Sequence, residues 1–128
     1  MPTSEKWIAD NIIETMWSDP LTGNQLKDCF SRIAEMLDEN PGQTVHVLFD
    51  LRPAGIVPTT APLSAINTGF MTSDNLGVIS VASNDRIAAT LARIASGISR
   101  KTIVMFSTYD EALDYINEEI ASGPARMI

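Results

Sequence analysis

Few residues in this chain are of types that do chemistry, and several gather around one segment. "VHVLFDLRPAGIVPTTAP", residues 45–62, runs from an apolar stretch to Asp50, then Arg52, then a loop with three prolines. A carboxylate at the end of a buried strand, beside an arginine, could bind an anion or act as a general acid or base. Plain chain termination would leave the same residues there. His46 is the only histidine, so a Ser-His-Asp or Cys-His enzyme would have to use it. It precedes Asp50 by four residues, roughly 13 Å down the strand axis, too deep to serve the strand's end. A packed, hydrogen-bonded histidine is the favoured reading. Cys29 is the only cysteine. It falls beside an apolar helix face and reads as a structural thiol. One histidine and one cysteine far apart make no recognisable metal site, and no metal is assigned. The seven glycines are scattered singly. With no G-x-G-x-x-G, P-loop or G-x-S-x-G, common nucleotide sites and the usual serine hydrolase are disfavoured. No catalytic residue and no cofactor is assigned.

The elements that must position these residues follow from apolar periodicity. In "EKWIADNIIETMW", two runs rich in β-formers flank Asp10-Asn11. Both residues tolerate the positive φ of a two-residue hairpin turn, so a β-hairpin with strands near 5–9 and 12–18 is expected. Leu26, Phe30, Ile33 and Leu37 then recur at helical spacing, with Thr22 as N-cap and Asn40-Pro41-Gly42 as stop. The segment 44–50 is a nearly continuous apolar strand of the kind buried on both faces. Leu63, Ile66 and Phe70 mark a short helix with Pro62 in its first turn. A second buried-type strand covers 76–83. On the next helix, Ile87, Leu91, Ile94 and Ile98 form the expected inner face, widened by Ala88, Ala92 and Ala95. A third such strand covers 102–106. The last helix opens on a Thr108/Glu111 capping box, with Leu113, Ile116 and Ile120 as its stripe and Ser122-Gly123-Pro124 as its end. The order β-β-α-β-α-β-α-β-α predicts one α/β domain over residues 1–128, with a five-stranded mixed sheet. That sheet is an N-terminal hairpin extended by parallel strands through right-handed crossovers.

In open α/β sheets ligands bind beyond the carboxyl ends of the strands. Those ends supply Asp50 and Arg52, then Ser83 and Asn84, then Ser107 and Thr108, overhung by Ile56 and Val57 of the proline loop. These eight residues are the candidate rim for a ligand or partner. Helix caps need the same Ser, Thr and Asn types, so capping alone also accounts for most of them. A local Asp50–Arg52 pair that fixes the loop is the favoured account of the other two polar residues. Arg86, Arg93 and Arg100 recur every seven residues and form a candidate partner stripe. Asp110, Asp114 and Glu118 make an acidic stripe on the last helix. The simplest reading is two solvated faces, with or without bridges between them across neighbouring helices.

Composition bounds the function classes. The chain has 128 residues, 45% of them apolar, enough for one core. Its net charge of −7 disfavours nucleic acid. The longest apolar runs are far shorter than the roughly 20 residues of a membrane span. The start, MPTSEKWIAD, lacks the regions of a signal peptide. With a single cysteine and no export signal, a reducing cytoplasmic setting is expected.

Three phrases resemble a bacterial family of small SpoIIAA-like (STAS) proteins: "GNQLKDCFSRIAEMLDE", the strand end "VLFDLR", and "DRIAATLARIASGISRKTIVMFSTYDEALDYI". The resemblance spans most of the chain. It implies the STAS/SpoIIAA-like fold of the anti-sigma-factor antagonists, near which lipid-transfer domains of the CRAL-TRIO type have been grouped. It also implies helices gathered mainly on one face of the sheet. True antagonists carry a phosphorylatable serine in a D-S-S-G-like motif after the central strand. Here that stretch reads "DLRPAGIVPTT", and no phosphorylation site is assigned.

The leading expectation is a non-catalytic regulatory or protein-interaction module. The alternative is a carrier or sensor of a lipid or other amphipathic small molecule, supported by Ile56, Val57 and the alanine-rich third helix. An enzyme acting at the polar rim is the weakest reading. A homodimer is expected, because Trp7 and Trp17 on an exposed hairpin would need cover, through the sheet face or the third helix.

Overall fold

The computed structural model describes residues 3–55 and 57–126, the last four of these as backbone only. The hairpin forms as expected. Strands β1 (Thr3–Ala9) and β2 (Ile12–Trp17) pair antiparallel around Asp10-Asn11. Then follow α1 (Gly23–Asp38), β3 (Val45–Asp50), α2 (Ala61–Asn67), a 3-10 turn (Phe70–Thr72), β4 (Leu76–Ala82), α3 (Arg86–Ser99), β5 (Ile103–Phe106) and α4 (Tyr109–Arg126). The helix α4 runs past the expected Ser122-Gly123-Pro124 stop.

The sheet order is β1-β2-β3-β4-β5, and every pairing after the first is parallel. Two apolar clusters define the layers. The larger joins Ile13, Trp17, Val45, Val47, Phe49, Ile79 and Val81 of the sheet to α1, α2 and α3. The smaller joins Ile12, Leu48 and Ala82 to Ala112 and Ile116 of α4. Three helices thus cover one face and α4 alone covers the other, so the helices do gather mainly on one face. The alternation follows from the two-residue period of a strand: Val47 and Phe49 point to one layer, Leu48 and Asp50 to the other.

Local chemistry accounts for the boundaries. Thr22 caps α1 through a full capping box: its Oγ1 accepts from the Gln25 N–H, and Gln25 Oε1 accepts from the Thr22 N–H. Pro62 sits in the first turn of α2, where its missing N–H costs nothing. The Arg32 guanidinium binds the buried Glu5 carboxylate and donates to Thr3 Oγ1 at 2.7 Å, tying α1 to the edge strand. Trp17, Phe30, Phe49 and Phe70 form an aromatic cluster with centroids 5.2–6.2 Å apart, the heart of the larger core.

Three expectations need correction. The inner face of α3 is made by Ala88 and Ala95, with Leu91 half-buried, whereas Ile87, Ile94 and Ile98 are 57%, 46% and 62% exposed. The apolar arc of α3 is wider than its seat. The helix approaches the sheet through its small residues, and the isoleucine edge is left outside. The tryptophans are not exposed either. Trp17 is 4% exposed and Trp7 packs half-buried on the same core. The open part of the sheet is the α4 side of the hairpin, where Lys6 and Met16 are exposed. Finally, the α3 and α4 charge stripes cannot bridge, because the two helices lie on opposite faces.

Candidate functional site

Asp50 ends β3 and is 1% exposed. Its two oxygens receive Arg52 Nε at 2.8 Å and Arg52 Nη2 at 2.9 Å, and Oδ1 also accepts the Arg52 N–H at 3.2 Å. This is a bidentate pair closed over two residues. The Arg52 guanidinium holds the Asp50 carboxyl below the usual carboxylate range, against the opposing effect of burial. Arg52 also sits over the Tyr109 ring, 5.7 Å from its centroid. The Tyr109 hydroxyl donates to Glu14, a carboxylate buried on the same sheet face, and Lys6 lies 3.9 Å from Glu14. Burial, then Glu14, pushes the Tyr109 phenol up to about 12.

The result is a chain of satisfied groups, Asp50–Arg52–Tyr109–Glu14. A general base works best with a pKa near the operating pH. Here the carboxylate is pushed down and the phenol up, away from that range. Glu14 was not anticipated. Its signal was a single acid between Ile12 and Met16, two apolar positions on its own strand face.

The rest of the rim does not converge. Ser83 is buried, and its Oγ accepts the Asp85 N–H at 3.1 Å. Asp85 caps α3 by accepting from Ile87 N–H. Thr108 caps α4, its Oγ1 accepting the Glu111 N–H at 3.2 Å, but the Glu111 carboxylate accepts from the Thr108 hydroxyl at 3.0 Å and not from its backbone N–H, so only half of the expected box forms. Asn84, Ser107 and Thr108 are exposed. Val57 turns inward, away from the other rim residues, and Ile56 lies outside the described residues. Arg86 and Arg93 are exposed on α3, and Arg100, also exposed, lies just past the helix as its left-handed C-cap residue at φ 61°, outside the helical row that the spacing predicts.

His46 is 8% exposed and faces α4. Its Nδ1 accepts the Val78 N–H at 3.0 Å, and a Cβ at Gly77 would come within 2.4 Å of the ring. Burial lowers its pKa, with Glu119 pulling weakly the other way. A protonated ring would set a second donor against the Val78 N–H. The folded pKa lies below the unfolded one, so this stabilisation is complete above about pH 6.5 and is lost as pH falls through the lower folded value. The urea midpoint should therefore fall as pH drops below about 6.5, and His46→Asn should flatten that fall. A wild-type midpoint that is constant over this window contradicts the assignment. Cys29 is fully buried beside Thr15, and burial pushes its thiol up to about 12, so it is inert as a nucleophile. Among the described residues no three His, Cys, Asp or Glu side chains are grouped to hold a metal.

A different site emerges between α2, α3 and the sheet. It is an apolar cavity of about 70 Å³. Trp17, Phe49 and Phe70 line its floor, Val57 and Ala65 one side, and Ala88, Leu91 and Ala95 the roof. Trp17 Nε1 is the one buried side-chain nitrogen or oxygen without a hydrogen-bond partner among the described residues. The Cys29 thiol is close enough to feel its dipole but is not placed to accept from it. Of the sequence-derived rim, only Val57 belongs to this cavity.

Fold and site together define a small α/β protein of SpoIIAA-like architecture, with an apolar cavity under its three-helix layer. The same fold is seen in an uncharacterized protein of the DUF3478 family from Shewanella loihica PV-4, with a TM-score of 0.63 and 12% sequence identity. The match covers 88% of this chain and 90% of that one. No protein-family model matches the sequence, and no curated protein matches it. No helix among the described residues is long and apolar enough to cross a membrane.

Proposed function

We propose that this protein is a non-catalytic module that carries or senses an amphipathic small molecule, with the apolar part of the ligand held between α2, α3 and the sheet. The observation that carries the reading is the cavity. Its wall is apolar and aromatic, and its roof is a helix seated through alanines. At about 70 Å³ it is smaller than the roughly 150 Å³ of a cavity that binds benzene. A ligand tail therefore enters by lifting α3. A cytoplasmic setting fits the single buried thiol.

The competing reading is a regulatory module acting on a protein partner or as a homodimer. The SpoIIAA-like fold favours it. Native mass spectrometry of freshly purified protein separates the two. The carrier reading expects one acyl or alkyl chain per protein, or uptake of an added C8–C14 fatty acid. Ala95→Leu, which fills the roof, should reduce that uptake at least tenfold while the chain stays folded. A bare dimer that takes up none of the added chains would favour the regulatory module.

A further inference from the structure

Among the described residues, the large apolar residues of α3 form a ridge that is left mostly uncovered, with Leu91 half-buried at its inner margin. Ile87, Leu91, Ile94 and Ile98 are spaced by four, three and four residues, so they share one edge of the helix. Three of them are about half exposed or more, and Leu63 on the neighbouring α2 is 61% exposed. Beside this ridge runs the arginine row. Arg86 and Arg93 lie roughly a third of a turn around the helix from the isoleucines, and Arg100 follows as the left-handed C-cap residue just past the helix. All three are exposed, and none lies within ion-pair distance of a carboxylate among the described residues. Lys101 follows them. The segment 86–101 contains no acid and holds four of the chain's nine basic residues, so the remaining five share the rest of the chain with all sixteen acids. The molecule is acidic except on this strip.

We propose that the α3 ridge docks onto an anionic lipid membrane, where the cavity beneath it exchanges its ligand. The docking surface stands on its own evidence. Only its purpose rests on the carrier reading. A helix lies in a membrane interface when its apolar edge reaches the acyl boundary and flanking cations reach the phosphates, and α3 has both at the required spacing. The charge layout orients the molecule. The exposed acids Asp110, Glu111, Asp114 and Glu118 of α4 lie on the opposite face of the sheet, turned away from the lipid. The acids of α1 share the layer with α3, but α2, which carries no charge, stands between them. A second copy fits less well. A twofold pairing of α3 with α3 would bring two arginine rows together with no acid on either helix to oppose them.

Co-sedimentation with vesicles tests the proposal, comparing phosphatidylcholine alone with phosphatidylcholine plus phosphatidylglycerol. The protein is expected on the anionic vesicles only, and raised salt should release it. Ile94→Ser with Ile98→Ser should weaken binding at least tenfold, as should Arg86→Glu with Arg93→Glu. All four positions are exposed and none lines the cavity, so these variants should melt like wild type and still take up a fatty acid from solution. Equal binding to both vesicle types overturns the proposal, and so does no binding to either. If the protein instead sediments as a dimer that the isoleucine variants dissociate, the ridge belongs to a second copy and the membrane proposal fails. Loss of vesicle binding with fatty-acid uptake intact in wild type sinks the docking surface alone. Vesicle binding without uptake sinks the carrier reading alone.

Discussion

Phe70→Ala will lower the stability of this protein by about 3–5 kcal/mol, a large part of the roughly 5–15 kcal/mol that a domain usually has. Phe70 is 1% exposed and is among the largest fully buried side chains. Its ring stacks on Phe30 at 5.2 Å and leans on Phe49 at 6.2 Å. It also forms part of the cavity floor. The substitution therefore removes transfer energy and enlarges an existing void, and both terms add. The backbone cannot easily close the gap. Phe70 begins a 3-10 turn reached through Gly69 at φ 81°, a left-handed conformation that fixes the entry of the turn. Urea unfolding at neutral pH measures the loss. A cost under about 1 kcal/mol would mean that the ring is not packed as described. Under the carrier reading, the same variant should accept bulkier apolar ligands than wild type, since the floor has receded.

The fold was legible because its signals were local and mutually consistent. Asp10-Asn11 named the hairpin, Thr22 and Thr108 named two helix starts, and three apolar runs of strand length named the parallel strands. The site was less legible, for three separate reasons. The cavity is assembled from side chains on elements far apart in sequence, such as Trp17, Phe49, Phe70 and Ala95, and each reads simply as core. The seat of α3 depends on which part of a broad apolar arc the sheet can approach. Periodicity gives the arc but not its centre, so the isoleucines were placed inside and the alanines at the margin. Glu14 carries no sequence signal beyond an acid between two apolar positions of its own strand face. It is buried because β2 lies between β1 and β3 and because Tyr109, nearly a hundred residues later, supplies its partner.

Arg52→Ala will cost about 2 kcal/mol, and Asp50→Asn about 1–2 kcal/mol, with no loss of a chemical activity in either case. Removing the guanidinium leaves a carboxylate that is 1% exposed without its bidentate partner. Breaking a fully buried pair costs about 3–5 kcal/mol, but the Arg52 side chain is 46% exposed, so solvent recovers part of that. Asparagine keeps the shape and one acceptor, but its NH2 sets a donor against an Arg52 N–H, so one arm of the bidentate pair is lost together with the charge assistance. The pH dependence separates the two roles that a strand-end carboxylate can play. The Asp50 pKa is depressed by Arg52. The stability it contributes is thus present above the ordinary aspartate value of about 3.9 and is lost as pH falls through the lower folded value. Wild type should lose this increment only in acid, whereas Asp50→Asn should lack it at every pH. The loop after Arg52 explains why such an anchor is needed. Pro53 pushes Arg52 towards extended backbone, and the chain then wanders until α2 begins at Ala61, carrying Val57 into the cavity wall on the way. An anchor at residues 50 and 52 fixes where that wall begins. Under the carrier reading, both variants should therefore weaken fatty-acid uptake modestly, in proportion to how far the loop loosens. An Asp50→Asn protein that melts like wild type yet loses a measured turnover would make Asp50 a reacting group, and the anchor reading would be abandoned.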